Sequence, residues 1–130
     1  MFKIDIRSSV PIYEQLSEQV KRAVIQGLLK KGDPLPSVRK MAAEIGVNPN
    51  TVAKAYQELE RQKVIITIRG KGTIINDLPE DTGADISDVL AKIRPYITEL
   101  IYAGKTRDEI TEEIGKIYDD LKKTNKEKRG

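Results

Sequence analysis

Apolar residues recur at helical spacing from the start of the chain. In PIYEQLSEQVKRAVIQG, residues 11–27, Ile12, Leu16, Val20, Ala23 and Val24 share one helical face. Pro11 suits the first helical position, where no backbone donor is needed, and Gly27 suits the exit. The following KKGDPLP is turn chemistry, with two prolines and a glycine in seven residues. Ser37 then caps a second helix, SVRKMAAEI, which stops at Gly46. Asn48 caps a third, with Pro49 at its first position and Val52, Tyr56 and Leu59 pointing inward. The run VIITIR, the turn GKG and the run TIIN form a β-hairpin whose tip carries Arg69 and Lys71.

The pattern changes after a polar stretch, NDLPEDTGAD, which has the composition of a linker. Ile86, Leu90, Ile93, Ile97 and Leu100 then recur at spacings of four, three, four and three, and Pro95 is expected to kink this helix. A further helix follows Gly104, opened by the capping box Thr106-x-x-Glu109, with Ile110, Ile114, Ile117 and Leu121 on one face. Two helices of this size cannot enclose a core, so their stripes need another surface. A symmetric partner chain supplies it most simply; the rival is packing back onto the first unit. The ending KKTNKEKRG is charge-rich and expected to be frayed. The expected organisation is therefore a mostly α unit with a small β-wing over residues 1–76, a linker over 77–85, and a helical dimerisation region over 86–130.

Charge separates the two units. Residues 1–76 hold 13 Lys and Arg against 7 Asp and Glu, while residues 77–130 hold 10 against 13. The basic first unit is suited to a polyanion. Cysteine and histidine are absent from all 130 residues, which removes disulfides, thiol nucleophiles, imidazole acid–base work and most transition-metal sites. No phosphate-cradling glycine motif or activated nucleophile stands in their place, so an enzyme is disfavoured and no cofactor is implied. No apolar run is long enough for a bilayer, and MFKIDIRSSV lacks a signal-peptide core, so a cytoplasmic home without membrane attachment is expected.

Three helices followed by a basic hairpin is the order of a winged helix-turn-helix, whose third helix enters the DNA major groove by its N-terminal residues. The run LPSVRKMAAEIGVNPNTVAKAYQELE followed by RGKGT resembles the DNA-binding domain of the GntR family of bacterial transcription regulators. Its matching pieces are LPS-x-R, the small-residue second helix, the N-x-x-TV opening of the third and the G-x-G wing tip. PIYEQL and NPNTVAKAYQELE resemble the YtrA subfamily in particular. The resemblance implies a homodimeric regulator, most often a repressor, that occupies a pseudo-palindromic double-stranded DNA operator and excludes polymerase. It further implies a short dimerising C-terminal region and control of transporter operons. The alternative is a winged-helix protein-interaction module without sequence-specific DNA binding. The basic first unit and the polar opening of the third helix weigh against that alternative.

Among the candidate DNA-binding residues, Asn48 is expected chiefly to cap its helix. Asn50 and Thr51 lie inside the first turn with no local duty; asparagine can pair bidentately with adenine, and threonine can meet phosphate or a thymine methyl. The amides of the helix mouth, less the donor that Pro49 lacks, also favour a phosphate. Lys54 shares the face of Asn50 and reaches toward the DNA backbone. Arg39 and Lys40 alone read as a solvated helix face, but the resemblance turns the arginine of LPS-x-R toward DNA; Ser37 is expected to cap the helix beside them and to be within reach of a phosphate. Arg69, Lys71 and Gly72 form a wing suited to minor-groove insertion. Tyr13 and Tyr56 read as core aromatics rather than base-stacking platforms.

Two departures from the family limit what carries over. Pro49 and Ala53 stand where many members have arginines, so arginine-based guanine reading does not transfer to them. Gln62-Lys63 stands where the family usually closes the third helix with glycine. A left-handed lysine would cost about 1 kcal/mol, so a differently built helix end is expected. The tail of about fifty residues leaves no room for an enclosed effector domain. A small-molecule effector would have only the dimer seam or the hinge.

Overall fold

The computed structural model describes residues 2–77 and 86–129, with side chains through residue 122. Helices α1 (Ile12–Ile25), α2 (Val38–Ile45) and α3 (Pro49–Arg61) are followed by strands β1 (Ile65–Ile68) and β2 (Gly72–Ile75). Leu16, Val20 and Val24 of α1 meet Met41 and Ala42 of α2, Val52, Ala55 and Leu59 of α3, and Ile65 and Ile75 of the hairpin in one buried cluster. Each fully buried Leu, Val or Ile contributes about 1.5–3 kcal/mol, so this head has a core of its own. Pro11 precedes α1 instead of opening it: its backbone is extended (ψ 145°), and its carbonyl accepts from the amides of Glu14 and Gln15.

The hairpin is antiparallel, with Ile65 opposite Ile75 and Ile68 opposite Gly72. The expected turn before α2 is more ordered than its composition suggests. Gly32 N–H donates to the Ile75 carbonyl at 2.8 Å, Ile75 N–H to Asp33 at 2.9 Å, and Leu35 N–H to Thr73 at 2.9 Å. Residues 32–35 thus run along β2 as a third, irregular rung. Pro34 and Pro36 alternate with the donor Leu35, so the missing N–H groups fall on the side facing away from the strand. Leu35 anchors the segment in the core.

Two helices end alike. At α1, Leu28 N–H bonds the Ala23 carbonyl and Gly27 N–H bonds Val24, with Gly27 left-handed. At α3, Val64 N–H bonds Leu59 at 2.9 Å and Lys63 N–H bonds Glu60 at 3.0 Å, with Lys63 at φ 61°. The expectation of a different ending is therefore wrong: a lysine occupies the glycine position of an ordinary Schellman cap. Neighbouring bonds hold it there, because Asn76 donates its amide N–H to Val64 and its side-chain amide to the Lys63 carbonyl at 3.1 Å.

The N-terminal arm lies along α1, held by two glutamines one turn apart. The Gln19 side chain exchanges hydrogen bonds with the backbone of Lys3, and Gln15 does so with Asp5 while also donating to the Val10 carbonyl. These amides stand in for the edge of a strand.

Apart from Asp77, the expected linker lies outside the described residues. Beyond it stand α4 (Ser87–Tyr102) and α5 (Arg107–Arg129). Helix α4 continues through Pro95. The capping box before α5 is formed: Thr106 N–H donates to the Glu109 carboxylate, and Glu109 N–H donates to the Thr106 hydroxyl, both at 3.2 Å. The charge-rich end, predicted to fray, is helical to Arg129; no glycine or proline interrupts residues 116–129, and Lys and Glu favour helix. Helix α5 touches α1, with Leu121 and Lys122 half-buried, which gives part of the rival packing back onto the head. No helix among the described residues is long and apolar enough to cross a membrane.

Candidate nucleic-acid interface

The head brings together three places where the sequence locates candidate contacts. At the mouth of α2, the Ser37 hydroxyl accepts from Lys40 N–H at 3.2 Å, leaving the Arg39 and Lys40 side chains exposed on the first turn. At the mouth of α3, the Asn48 side-chain oxygen accepts from Asn50 N–H at 2.8 Å, which is the cap expected of it. The Asn50 side chain is exposed and Thr51 half-buried. The free helix-mouth amides expected to receive a phosphate are not there. Asn50 N–H is taken by the cap, Thr51 and Val52 N–H both bond the Asn48 carbonyl, and Pro49 has none.

One segment ties these places to each other. The Tyr56 hydroxyl of α3 donates to the Pro36 carbonyl at 2.6 Å, next to the α2 cap. Burial, helped by the nearby Glu44 carboxylate, pushes its pKa up to about 12, so it stays a donor at physiological pH. Residues 32–35 are stitched to β2, as described above. The chain entering α2 is therefore fastened to the recognition-type helix on one side and to the wing on the other. At the wing tip, Lys71 N–H closes a turn onto the Ile68 carbonyl at 2.9 Å. Gly70 is its third residue with φ 87°, a conformation that a side chain at this position would strain. Arg69 and Lys71 project from this turn, both exposed, beside Gly72.

Ion pairing engages some cations of the described residues but none of the four at the α2 mouth and the wing tip. Arg22, Lys31, Arg61, Lys105 and Lys116 each contact a carboxylate. Arg39, Lys40, Arg69 and Lys71 make no ion pair among the described residues, leaving their charge available to a polyanion. Lys54, on the face of Asn50, is exposed and has its ammonium 4.1 Å from the centre of the Tyr13 ring. Tyr13 is half-buried and Tyr56 buried, as core aromatics should be. Nothing in local pattern flags the Tyr13–Lys54 or Tyr56–Pro36 contacts, because both join residues far apart in sequence.

The tail presents a different surface. No residue of α4 is buried; Leu90, Ile93 and Leu100 remain 55%, 43% and 42% exposed, and Ile86, Ile114 and Ile117 are also open. Ile97, Ile110 and Leu121 are half-buried. Ile97, Leu100, Ile110, Ile114 and Ile117 line an open cleft of about 380 Å³ between α4 and α5. Val89, Tyr96, Ile101, Tyr102 and Tyr118 extend the exposed apolar area beyond the heptad-like stripe the sequence suggests.

A polar-capped third helix packed across two others, with a glycine-turned basic wing beside it, is the arrangement of a winged helix-turn-helix DNA-binding regulator. The chain belongs to the bacterial regulatory proteins of the gntR family, matching that family over residues 12–75. It is 43% identical over 124 residues to the HTH-type transcriptional repressor YtrA of Bacillus subtilis (strain 168), covering 94% of this chain and 95% of that protein. A solved structure of a transcriptional antiterminator from Listeria monocytogenes EGD-e is 41% identical, with a TM-score of 0.85 over 93% of this chain and 92% of that one. YtrA from Sulfolobus acidocaldarius, a GntR-family transcription factor, is 31% identical, with a TM-score of 0.57 over 92% of this chain and 97% of that one.

Proposed function

We propose that this chain is a transcriptional repressor that binds a pseudo-palindromic operator as a homodimer in the cytoplasm. Asn50 and Thr51 read base edges from the first turn of α3, while Arg39, Lys40, Arg69 and Lys71 grip phosphates and the minor groove. The observation that carries this reading is the joining of α3, the α2 mouth and the wing through residues 32–37, with unpaired cations on the latter two. The resemblance to a named repressor along nearly the whole chain supports the direction of control.

The dimer rests on the tail. Exposed isoleucines and leucines on α4 and α5 exceed what the contact with α1 covers, and a second copy would bury them symmetrically. Cutting the chain after Asn76 tests this. Asn76 keeps its bonds to Lys63 and Val64, and the core lies wholly upstream, so the fragment should stay folded and sediment as a monomer. Its operator affinity should fall by about a hundredfold or more, because a lone head loses the tethered partner's effective concentration. A full-length monomer, or a fragment that dimerises and binds as well as the intact chain, would assign the tail another purpose.

A further inference from the structure

The Lys54–Tyr13 contact joins the candidate DNA-reading helix to a helix with no assigned part in DNA binding. Tyr13 stands in the first turn of α1 with its ring packed against the core and half-buried, so the ring is held in place. Its hydroxyl donates to the Glu14 carboxylate at 3.1 Å, away from the ring face that Lys54 meets. The Lys54 ammonium lies over that ring, 4.1 Å from its centre, well within the range of cation–π attraction. Among the described residues of the head, no other lysine or arginine is so placed.

A free lysine side chain loses much rotamer entropy when a phosphate fixes it. Here the ring has already fixed it. An ammonium carries three donors, and those turned away from the ring remain open. Lys54 lies one turn after Asn50 on the same face, so a phosphate flanking a base contacted by Asn50 falls within its reach. We propose that Tyr13 is a positioning residue for DNA binding, its ring holding the Lys54 ammonium ready for a backbone phosphate. The inference rests on the assignment of α3 as the DNA-facing helix.

The test uses the full chain as wild type, Tyr13→Phe, Tyr13→Leu, Lys54→Ala and the Tyr13→Leu, Lys54→Ala double variant. Each is melted to confirm folding and titrated with a random-sequence duplex at several salt concentrations. Tyr13→Leu should weaken binding about three- to tenfold, Tyr13→Phe should keep wild-type affinity, and Tyr13→Leu should cost nothing further once Lys54 is alanine. A folded Tyr13→Leu variant that binds normally, or one whose loss persists in the Lys54→Ala background, overturns the proposal. The DNA-free protein gives a second readout should Tyr13→Leu unfold. The ε-methylene protons of Lys54 should show an upfield ring-current shift in wild type and Tyr13→Phe. An unshifted Lys54 in wild type overturns the positioning role while leaving DNA binding by α3 standing. Failure of the wild-type chain to bind any duplex, with the ring-current shift present, overturns the DNA assignment itself and the positioning role with it.

Discussion

Replacing Lys63 by glycine should stabilise the head. Lys63 closes α3 at φ 61°, where an L-residue is disfavoured by about 1–2 kcal/mol. Its side chain is exposed and forms no ion pair among the described residues, so truncation removes no packing. The bond from Asn76 reaches the Lys63 carbonyl, which glycine retains. Against the relief of strain stands the greater freedom of glycine in the unfolded chain, about 0.5–1 kcal/mol. The net gain is about 0–1.5 kcal/mol, with a midpoint of ~0.8 kcal/mol that raises the melting temperature by about 3–6 °C for a unit of this size. Thermal melting of the fragment ending at Asn76 measures this directly, with Gln62→Gly as the control. Gln62 has φ −82°, needs no glycine, and donates from its side chain to Glu58, so the control should lose stability. DNA affinity should be little changed, because Lys63 lies at the end of α3 remote from Asn50. If Lys63→Gly proves destabilising, the left-handed cap is not a source of strain and the account of this helix end is wrong.

Lys71→Ala should weaken binding to all duplexes alike and shallow the log–log salt slope by about one unit, as expected for one lost phosphate contact; affinity measured across salt on specific and random DNA checks it. Asn50→Ala should cost about 1–3 kcal/mol on the preferred sequence and almost nothing on random DNA, without loss of thermal stability, since Asn48 and not Asn50 supplies the capping oxygen. Equal losses on both DNAs would make Asn50 a backbone contact. Hydrogen bonds from Arg61, then Gln62, hold the Glu58 carboxyl at about 2, below the ordinary carboxylate range. A lowered folded-state pKa gives stability that is present above the unfolded value near 4.5 and lost as pH falls toward 2. Melting curves of wild type and Glu58→Gln should therefore differ at pH 6 and converge through that window; a constant gap would remove Glu58 as the titrating group.

Much of the head is legible in sequence because its signals are local. Ser37, Gly46, Asn48 and Pro49 punctuate the helices where their backbone chemistry demands, and the apolar positions read onto the inner faces of α1 and α3 are buried, except Ile12, which is half-buried. What stays hidden depends on partners distant in the chain. The KKGDPLP segment pairs with β2 although its composition signals only a turn; Leu35, apolar between two prolines, is the residue that could have betrayed its anchoring. Lys63 defeats a propensity argument because Asn76, thirteen residues on, stabilises the conformation that lysine disfavours. The free amides expected at the α3 mouth are absent for a local reason: the side-chain oxygen and the carbonyl of Asn48 already accept from them. Gln15 and Gln19 bond the backbone of an arm whose alternation of Phe2, Ile4 and Ile6 with Lys3, Asp5 and Arg7 is itself a readable signal of extended structure.

Selection of preferred sequences from a random duplex pool by the full chain tests the central claim most directly. The account predicts enrichment of an inverted repeat whose half-sites lie one helical turn apart, about 34 Å, or a multiple of that. Asn50→Ala should blur the enriched positions within each half-site while leaving their spacing intact. Recovery of no preferred sequence, or of a single half-site without its inverted partner, would contradict the account.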